Sequence, residues 1–281
     1  MSEPDELYTL RAQFWLGHYQ MALDEAKAMA RRPLSPALKE ERDFFLARSQ
    51  LALGLEVSDT STPALQAVQL LSAMASSAEK EATLDSIKQL VASHPSPTTH
   101  LIAAQACVAS DQLAPALALL QQSTTMLEPS LLVLQIYLKL DRLDLAQQQL
   151  DQMKQQDEDS ILVQLASVYV FLYKGSSGAK EALFVLQSLT EQYGTSSFLL
   201  NLVACAHLQA GDYAQAEAKL RECEDDTTTT TTTMVNLVTA LVHQHQSPEA
   251  YVAQWSEPQV QGLLRVQTAL DREAVKYQAL A

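Results

Sequence analysis

The sequence contains few of the residues that interrupt a chain or cross-link it. Its 281 residues include seven glycines, ten prolines and three cysteines. Because Cys107, Cys205 and Cys223 are odd in number and far apart, we expect small core residues in a reducing compartment, not a disulfide framework. Apolar residues make up 47% of the chain. A mixture rich in alanine, leucine and glutamine favours helix over strand.

Positive charge is also scarce, with 19 lysines and arginines against 33 aspartates and glutamates. The formal net charge of −14 argues against binding to nucleic acid and against unaided binding to an anionic membrane. No apolar run approaches the 18 residues or more of a membrane span, and the acidic N-terminus lacks the apolar core of a signal peptide. We therefore expect a cytoplasmic protein.

Motifs that carry chemistry are missing as well. No glycine-rich phosphate loop is present, and Gly175–Gly178 lacks the flanking strand that a nucleophile elbow requires. His243 and His245 lie two residues apart on a predicted helix, so they point about 200° apart and cannot share a metal. Cys205 and His207 have the same spacing. We predict no catalytic residue, no metal site and no cofactor.

The most informative stretch is Leu131–Leu150, LLVLQIYLKLDRLDLAQQQL. Its apolar residues recur three and four apart on either side of a polar turn at Asp141–Arg142, which predicts two short amphipathic helices. Neither helix is long enough to bury its own apolar stripe. Similar units are therefore expected on both sides.

The rest of the chain supplies such units at a regular spacing. Aligned turn residues are followed five positions later by alanine, in the pairs Gly17 and Ala22, Asp111 and Ala116, Asp141 and Ala146, and Gly211 and Ala216. A small residue at this position lets two helices approach closely. A further copy surrounds the turn at Gly175–Gly178. The pattern is that of a degenerate tetratricopeptide repeat, a helix–turn–helix unit of about 34 residues.

The predicted fold is all-α, a tetratricopeptide-like α-solenoid in which helix pairs form a right-handed superhelix. One array of about eight pairs is expected to span residues 1–281. The seven threonines Thr227–Thr233 are predicted to form a loop, because β-branched residues are poor helix formers and their hydroxyls compete for backbone hydrogen bonds. Residues 259–281 are predicted to form a C-terminal helix that caps the array.

Several strings resemble the epsilon subunit of coatomer beyond the generic repeat. They include Asp5–Leu7, Gly17–Gln20, Glu41–Leu46 and above all Leu138–Ala146, whose turn reads Asp-Arg-Leu where a generic repeat prefers Gly-Asp-Tyr. The resemblance implies a non-catalytic subunit of the COPI vesicle coat in Golgi-to-ER and intra-Golgi transport. It also implies binding to the C-terminal region of the alpha subunit, with membrane recruitment left to other coat components. The chain is then expected in the cytoplasm and, through the coat, on Golgi membranes and coated vesicles.

Two other functions remain open at this stage. One is a generic tetratricopeptide adaptor or co-chaperone that grips a partner's C-terminal carboxylate, which needs lysine, arginine and asparagine on the inner helices. The aligned positions ten residues before each turn are instead mostly apolar: Leu7, Leu101, Leu131 and Asn201. The other is a regulatory subunit of an enzyme assembly.

A partner-binding groove is predicted from apolar residues at two aligned positions. Three residues before each turn stand Phe14, Val108, Leu138 and Leu208, and ten residues before it stand Leu7, Leu101 and Leu131. In this repeat the first of these positions tends toward the concave surface, and exposed apolar patches usually mark interfaces. The alternative is a superhelix tight enough to bury these side chains against adjacent helices.

Overall fold

A computed structural model describes residues 5–76, 80–121, 126–223 and 231–248. Within these ranges the chain forms fourteen α-helices and no strand. In chain order they are α1 Tyr8–Trp15, α2 Tyr19–Met29, α3 Pro36–Ala52, α4 Pro63–Ser76, α5 Lys80–Ser93, α6 Pro97–Ala109, α7 Leu113–Leu120, α8 Leu127–Lys139, α9 Leu143–Gln156, α10 Ile161–Tyr173, α11 Ala179–Tyr193, α12 Ser197–Ala210, α13 Tyr213–Arg221 and α14 Thr231–His243.

The helices pack as consecutive pairs, as predicted. Each of the pairs α1–α2, α4–α5, α6–α7, α8–α9, α10–α11 and α12–α13 is joined by extensive contacts, and neighbouring pairs contact each other through their first helices, as in α8 with α10. Helix α3 lacks a second helix, because residues 56–62 contain no helix before α4 begins. The all-α, tetratricopeptide-like fold is confirmed.

The four aligned turn residues share one backbone conformation. Their φ angles are positive, which is the left-handed region that ends a helix and reverses the chain: Gly17 81°, Asp111 59°, Asp141 61° and Gly211 79°. His245 adopts the same conformation after α14, with φ 57°, and the alignment missed it. Ala250 stands five residues further on, so the alanine spacing marks this turn in the sequence too.

The alanine five residues after each turn is fully buried. Exposure is 0% at Ala22, Ala116, Ala146 and Ala216, and also at Ala182 in the copy that follows Gly175–Gly178. Four residues later the chain places Ala26, Leu120, Leu150, Leu186 and Leu220, all at most 2% exposed. Each pair therefore crosses at a small side chain, and in every copy but the first a leucine packs one turn further on, which supports the alignment.

Capping residues set the helix starts. The Ser96 hydroxyl accepts a hydrogen bond from the Thr99 N–H at 3.2 Å, and the Thr99 hydroxyl accepts one from the Ser96 N–H at 3.0 Å, which completes a capping box at α6. Pro97 then occupies the first turn. Thr62 caps α4, since its Oγ1 accepts a hydrogen bond from the Leu65 N–H at 3.3 Å.

The threonine tract corrects one prediction. Thr231–Thr233 form the first turn of α14, where a loop was expected. The reason is tertiary: Thr233 is only 2% exposed, and Asn201 Nδ2 donates a hydrogen bond to its Oγ1 at 2.9 Å. This contact and the packing of α14 on α12 and α13 outweigh the weak helix propensity of threonine. Thr227–Thr230 and the predicted cap at 259–281 lie outside the described residues.

Candidate partner-binding surface

The first helix of the array contacts helices near the other end of the described residues. The Ser196 hydroxyl, at the start of α12, donates a hydrogen bond to the Leu16 carbonyl at the end of α1 across 2.5 Å. The hydroxyls of Tyr8 and Tyr193 are 2.7 Å apart. These residues are separated by 180 and 185 positions in the chain, so the superhelix curls far enough for its first helix to contact its tenth and twelfth.

A glycine permits this closure. Gly17 combines φ 81° with a close neighbour, because a Cβ added there would lie 2.5 Å from Phe198 Cβ, a distance that real Cβ atoms do not reach. Beside it, burial lowers the pKa of His18, and a hydrogen bond with the Gly194 backbone offsets only part of that effect. The contact at the closure therefore requires a small residue at 17 and favours a neutral imidazole at 18.

The curled array forms an open-sided cavity of about 560 Å³. Its wall is built mainly from the first helices of successive units, with side chains contributed by α1, α3, α4, α6, α8 and α10. Apolar lining comes from Trp15, Phe44, Leu101 and Leu127, among others. The volume lies within the range of about 300–1,000 Å³ that is usual for binding pockets.

Two arginines hold carboxylates at the cavity wall. Arg11 forms a two-pronged pair with Glu41, Nε to Oε1 at 2.7 Å and Nη2 to Oε2 at 2.8 Å, and also contacts Asp5 at 2.6 Å. Burial acts to lower the pKa of Arg11, but hydrogen bonding to Glu41 and the charge of that carboxylate outweigh it and raise the pKa. Such bidentate pairs fix orientation as well as charge.

Arg48 is the more deeply buried of these arginines and joins α3 to α8. Its side chain is 6% exposed, and its guanidinium pairs with the Glu128 carboxylate, 80 residues further along the chain. The guanidinium carbon lies 4.4 Å from the Phe14 ring centroid and 5.0 Å from that of Phe44. The guanidinium thus lies against aromatic faces that favour a cation. Sequence inspection missed this pair, since no local pattern relates the two positions.

The seven predicted groove residues do not gather on one surface. Leu7 and Leu101 are buried, at 0% and 4% exposure, and the other five are half-buried. They pack in four separate clusters: Leu7 with Phe14, Leu101 with Val108, Leu131 with Leu138, and Leu208 with residues of α13 and α14. Leu101 alone among the seven also lines the cavity. In the described conformation, adjacent helices cover much of this set, which is the alternative that the sequence left open.

Two further features of the described residues concern metal ions and thiols. Within those ranges no group of three histidine, cysteine, aspartate or glutamate side chains is arranged to hold a metal ion. Burial raises the pKa of both Cys107 and Cys205, which keeps these thiols protonated and poorly nucleophilic. None of the described helices is both long and apolar enough to cross a bilayer.

Solved structures share the fold. A tetratricopeptide repeat protein from Parabacteroides merdae superposes with a TM-score of 0.60 at 14% identity, covering 89% of this chain and 98% of that one. The Cut9–Hcn1 hetero-tetramer of the APC/C gives a TM-score of 0.62 at 12% identity, covering 92% of this chain and 54% of the other. At such identities the likeness concerns the fold alone.

Sequence relatives define the family. The family profile described as Coatomer epsilon subunit matches residues 3–259. Coatomer subunit epsilon-1 of Arabidopsis thaliana is 34% identical over 269 residues, covering 90% of this chain and 89% of the relative. Coatomer subunit epsilon of Dictyostelium discoideum is 28% identical over 262 residues, covering 87% of each. These matches extend over nearly the whole array, including the Leu138–Ala146 turn, and the chain belongs to the coatomer epsilon subunit family.

Proposed function

We propose that this coatomer subunit binds and stabilises the C-terminal region of the alpha subunit, and that it does so without catalysis. Its place is in the coat that serves Golgi-to-ER and intra-Golgi transport. The observation that carries the proposal is the closure of the helical array around a cavity. A curled array whose inner wall is part apolar and part charged, and open on one side, is suited to receive a segment of another protein.

The manner of closure supports a stabilising role. Contacts between α1 and α12 hold the array in one curvature in the described conformation, so that the cavity wall is largely pre-formed. Pre-organised surfaces lose less conformational entropy when a partner binds. The partner segment gains a covered environment, which is what a stabilising subunit provides.

The negative charge of the chain supports contact with the membrane through other coat subunits. The formal net charge of −14 opposes direct binding to the anionic cytoplasmic leaflet. We infer that the chain resides in the cytoplasm and reaches Golgi membranes and coated vesicles through the rest of the coat. Of the predicted groove set, Leu101 lines the cavity and is the member that supports this proposal.

The test is affinity purification of the tagged full-length chain from cytosol, together with binding to the recombinant C-terminal region of the alpha subunit. We expect the other coat subunits to co-elute, and the isolated alpha-subunit region to bind and to melt at a higher temperature in the complex. Co-elution of a chaperone or of an enzyme assembly without coat subunits would favour the adaptor or regulatory-subunit alternatives and overturn the proposal.

A further inference from the structure

The loop between α2 and α3 contains a serine that is followed by a proline. Ser35 precedes Pro36, and Pro33 stands two residues before it. A proline restricts the residue before it to extended conformations, and Ser35 accordingly has φ −62° and ψ 158°. Kinases that require a proline after the phosphoacceptor bind their substrates in an extended conformation. The loop therefore holds Ser35 in the conformation that such an enzyme recognises.

The hydroxyl of Ser35 is accessible in the folded chain. Ser35 is exposed, and so are Pro33 and Pro36. Its Oγ accepts a hydrogen bond from the Leu38 N–H at 3.3 Å and thereby caps α3. A phosphate at this position keeps oxygen acceptors at the same helix end, so modification does not remove the cap.

The charges around Ser35 favour a phosphate. Although the formal net charge of the chain is −14, residues 27–39 contain four basic residues and no acidic one. The four are exposed: Lys27, Arg31, Arg32 and Lys39. A phosphoserine adds about 1.5–2 negative charges, pairs well with arginine and is stabilised by the N–H groups and the dipole at a helix N-terminus. Phosphorylation here places negative charge where the chain carries an excess of positive charge.

The other serines and threonines that precede a proline are less suited to modification. Thr62 and Ser96 are half-buried, and the Ser96 hydroxyl belongs to the capping box of α6. Thr62 also follows Asp59 by three residues, and Ser247 comes two residues before Glu249. Such neighbouring carboxylates repel a phosphate. Exposure, backbone conformation and local charge coincide at Ser35.

We propose that Ser35 is a phosphorylation site of a proline-directed serine/threonine kinase that uses ATP. In the reaction the Ser35 oxygen bonds to the γ-phosphorus, its proton passes to the catalytic aspartate of the kinase, and the bond from that phosphorus to the β–γ bridging oxygen breaks, so that ADP leaves. The phosphoserine then interacts with the first-turn N–H groups of α3 and with Arg31 and Arg32, and it stabilises the start of α3. This modification does not depend on the proposed binding to the alpha subunit.

The first experiment measures phosphate incorporation by mass spectrometry. The full-length chain is incubated with a recombinant cyclin-dependent kinase and ATP, and a tagged copy is purified from cells of the source organism with phosphatase inhibitors. We expect phosphate at Ser35 in both samples, and an unmodified Ser35 in either sample would overturn the proposal. Ser35→Asn, which keeps a good N-cap, and Pro36→Ala, which keeps the hydroxyl, should each abolish incorporation at position 35, whereas Ser96→Ala should not change it. Equal incorporation in Pro36→Ala would show that the enzyme is not directed by the proline.

The second experiment measures the effect of the phosphate on stability. We expect phosphorylation to raise the melting temperature by about 1–3 °C at low ionic strength, and less in roughly 1 M salt, because exposed charges are screened. Replacing Arg31 and Arg32 together with glutamine should reduce this rise. Lys180→Gln, which removes an exposed positive charge on α11, is the matched control and should leave the rise unchanged. A melting temperature that is the same or lower after phosphorylation would contradict stabilisation of α3.

Discussion

At the scale of single residues, one small side chain sets the geometry of each repeat. Ala146 is fully buried where α8 and α9 cross, and Leu150 is buried one turn further along α9. Protein interiors are packed about as densely as organic crystals, so a larger side chain at such a crossing must displace its neighbours. The alanine spacing was visible in the sequence because the constraint is local to one helix pair.

Replacing Ala146 with leucine should therefore destabilise the protein through overpacking. We expect the free energy of unfolding to fall by about 1–3 kcal/mol in urea denaturation. Ala218→Leu, on the exposed side of α13, is the control and should change stability by less than about 0.5 kcal/mol. Equal effects of the two substitutions would contradict the close crossing.

Because His18 lies at the closure, its protonation should make the free energy of unfolding depend on pH. Its pKa is lowered in the folded chain, mainly by burial, so between that value and the ordinary value of about 6.5 the unfolded chain binds more protons. Stability is then fully present above about pH 6.5 and is lost as the pH falls toward the folded pKa. We expect the melting temperature to drop between pH 7.5 and 5.5, and to drop less in His18→Gln.

The comparison of those two pH curves isolates His18. Burial also lowers the pKa of His207, and this contribution is present in both proteins and cancels in the difference. Curves of identical shape would show that protonation of His18 does not oppose folding.

At the scale of whole helices, the sequence predicts what is local and misses what depends on distant contacts. Helix pairs and turns follow from the spacing of residues within one repeat, and the caps at Ser96 and Thr62 depend on contacts within three residues. The start of α14 does not, because threonine alone disfavours helix and the acceptor role of Thr233 depends on Asn201, 32 positions earlier. Register between α12 and α14 is fixed by such polar contacts, Asn236 to Asn201 included.

Thr233→Val tests this contact, since valine keeps the shape of threonine and removes the hydroxyl. We expect a loss of about 1 kcal/mol of stability in urea denaturation, because Asn201 loses an acceptor in a half-buried site. Thr232→Val changes an exposed neighbour in the same tract and should have little effect. A neutral Thr233→Val would mean that side-chain packing alone holds the first turn of α14.

At the scale of the whole molecule, closure of the array was not predictable from the sequence. Contacts between residues 180 positions apart leave no periodic pattern in the sequence. The left-handed turn alone explains a glycine at position 17, and only the structure shows that the nearby Phe198 also requires a small residue there. Helical periodicity identifies apolar side chains but not which of two packed faces they occupy. For that reason Leu7 and Leu101, predicted to line an open groove, lie in the core.

Substitution of Gly17 by alanine should weaken the closure, and Gly211 provides a matched control. Both glycines occupy equivalent turns with φ near 80°, so alanine costs a similar backbone strain at each. An added Cβ lies 2.5 Å from Phe198 Cβ at position 17 and meets nothing within 4 Å at position 211. We expect Gly17→Ala to lose about 1–3 kcal/mol more stability than Gly211→Ala, by the cost of forced overpacking.

The shape of the molecule in solution should report the same difference. Gly17→Ala should increase the radius of gyration measured by small-angle X-ray scattering, because α1 must move away from α12, whereas Gly211→Ala should not. Adding Phe198→Gly to Gly17→Ala removes the Cβ that the new methyl group meets, and we expect it to restore part of the lost compactness. If the two glycine variants have the same stability and the same radius, the contact between the first and twelfth helices does not hold the array closed.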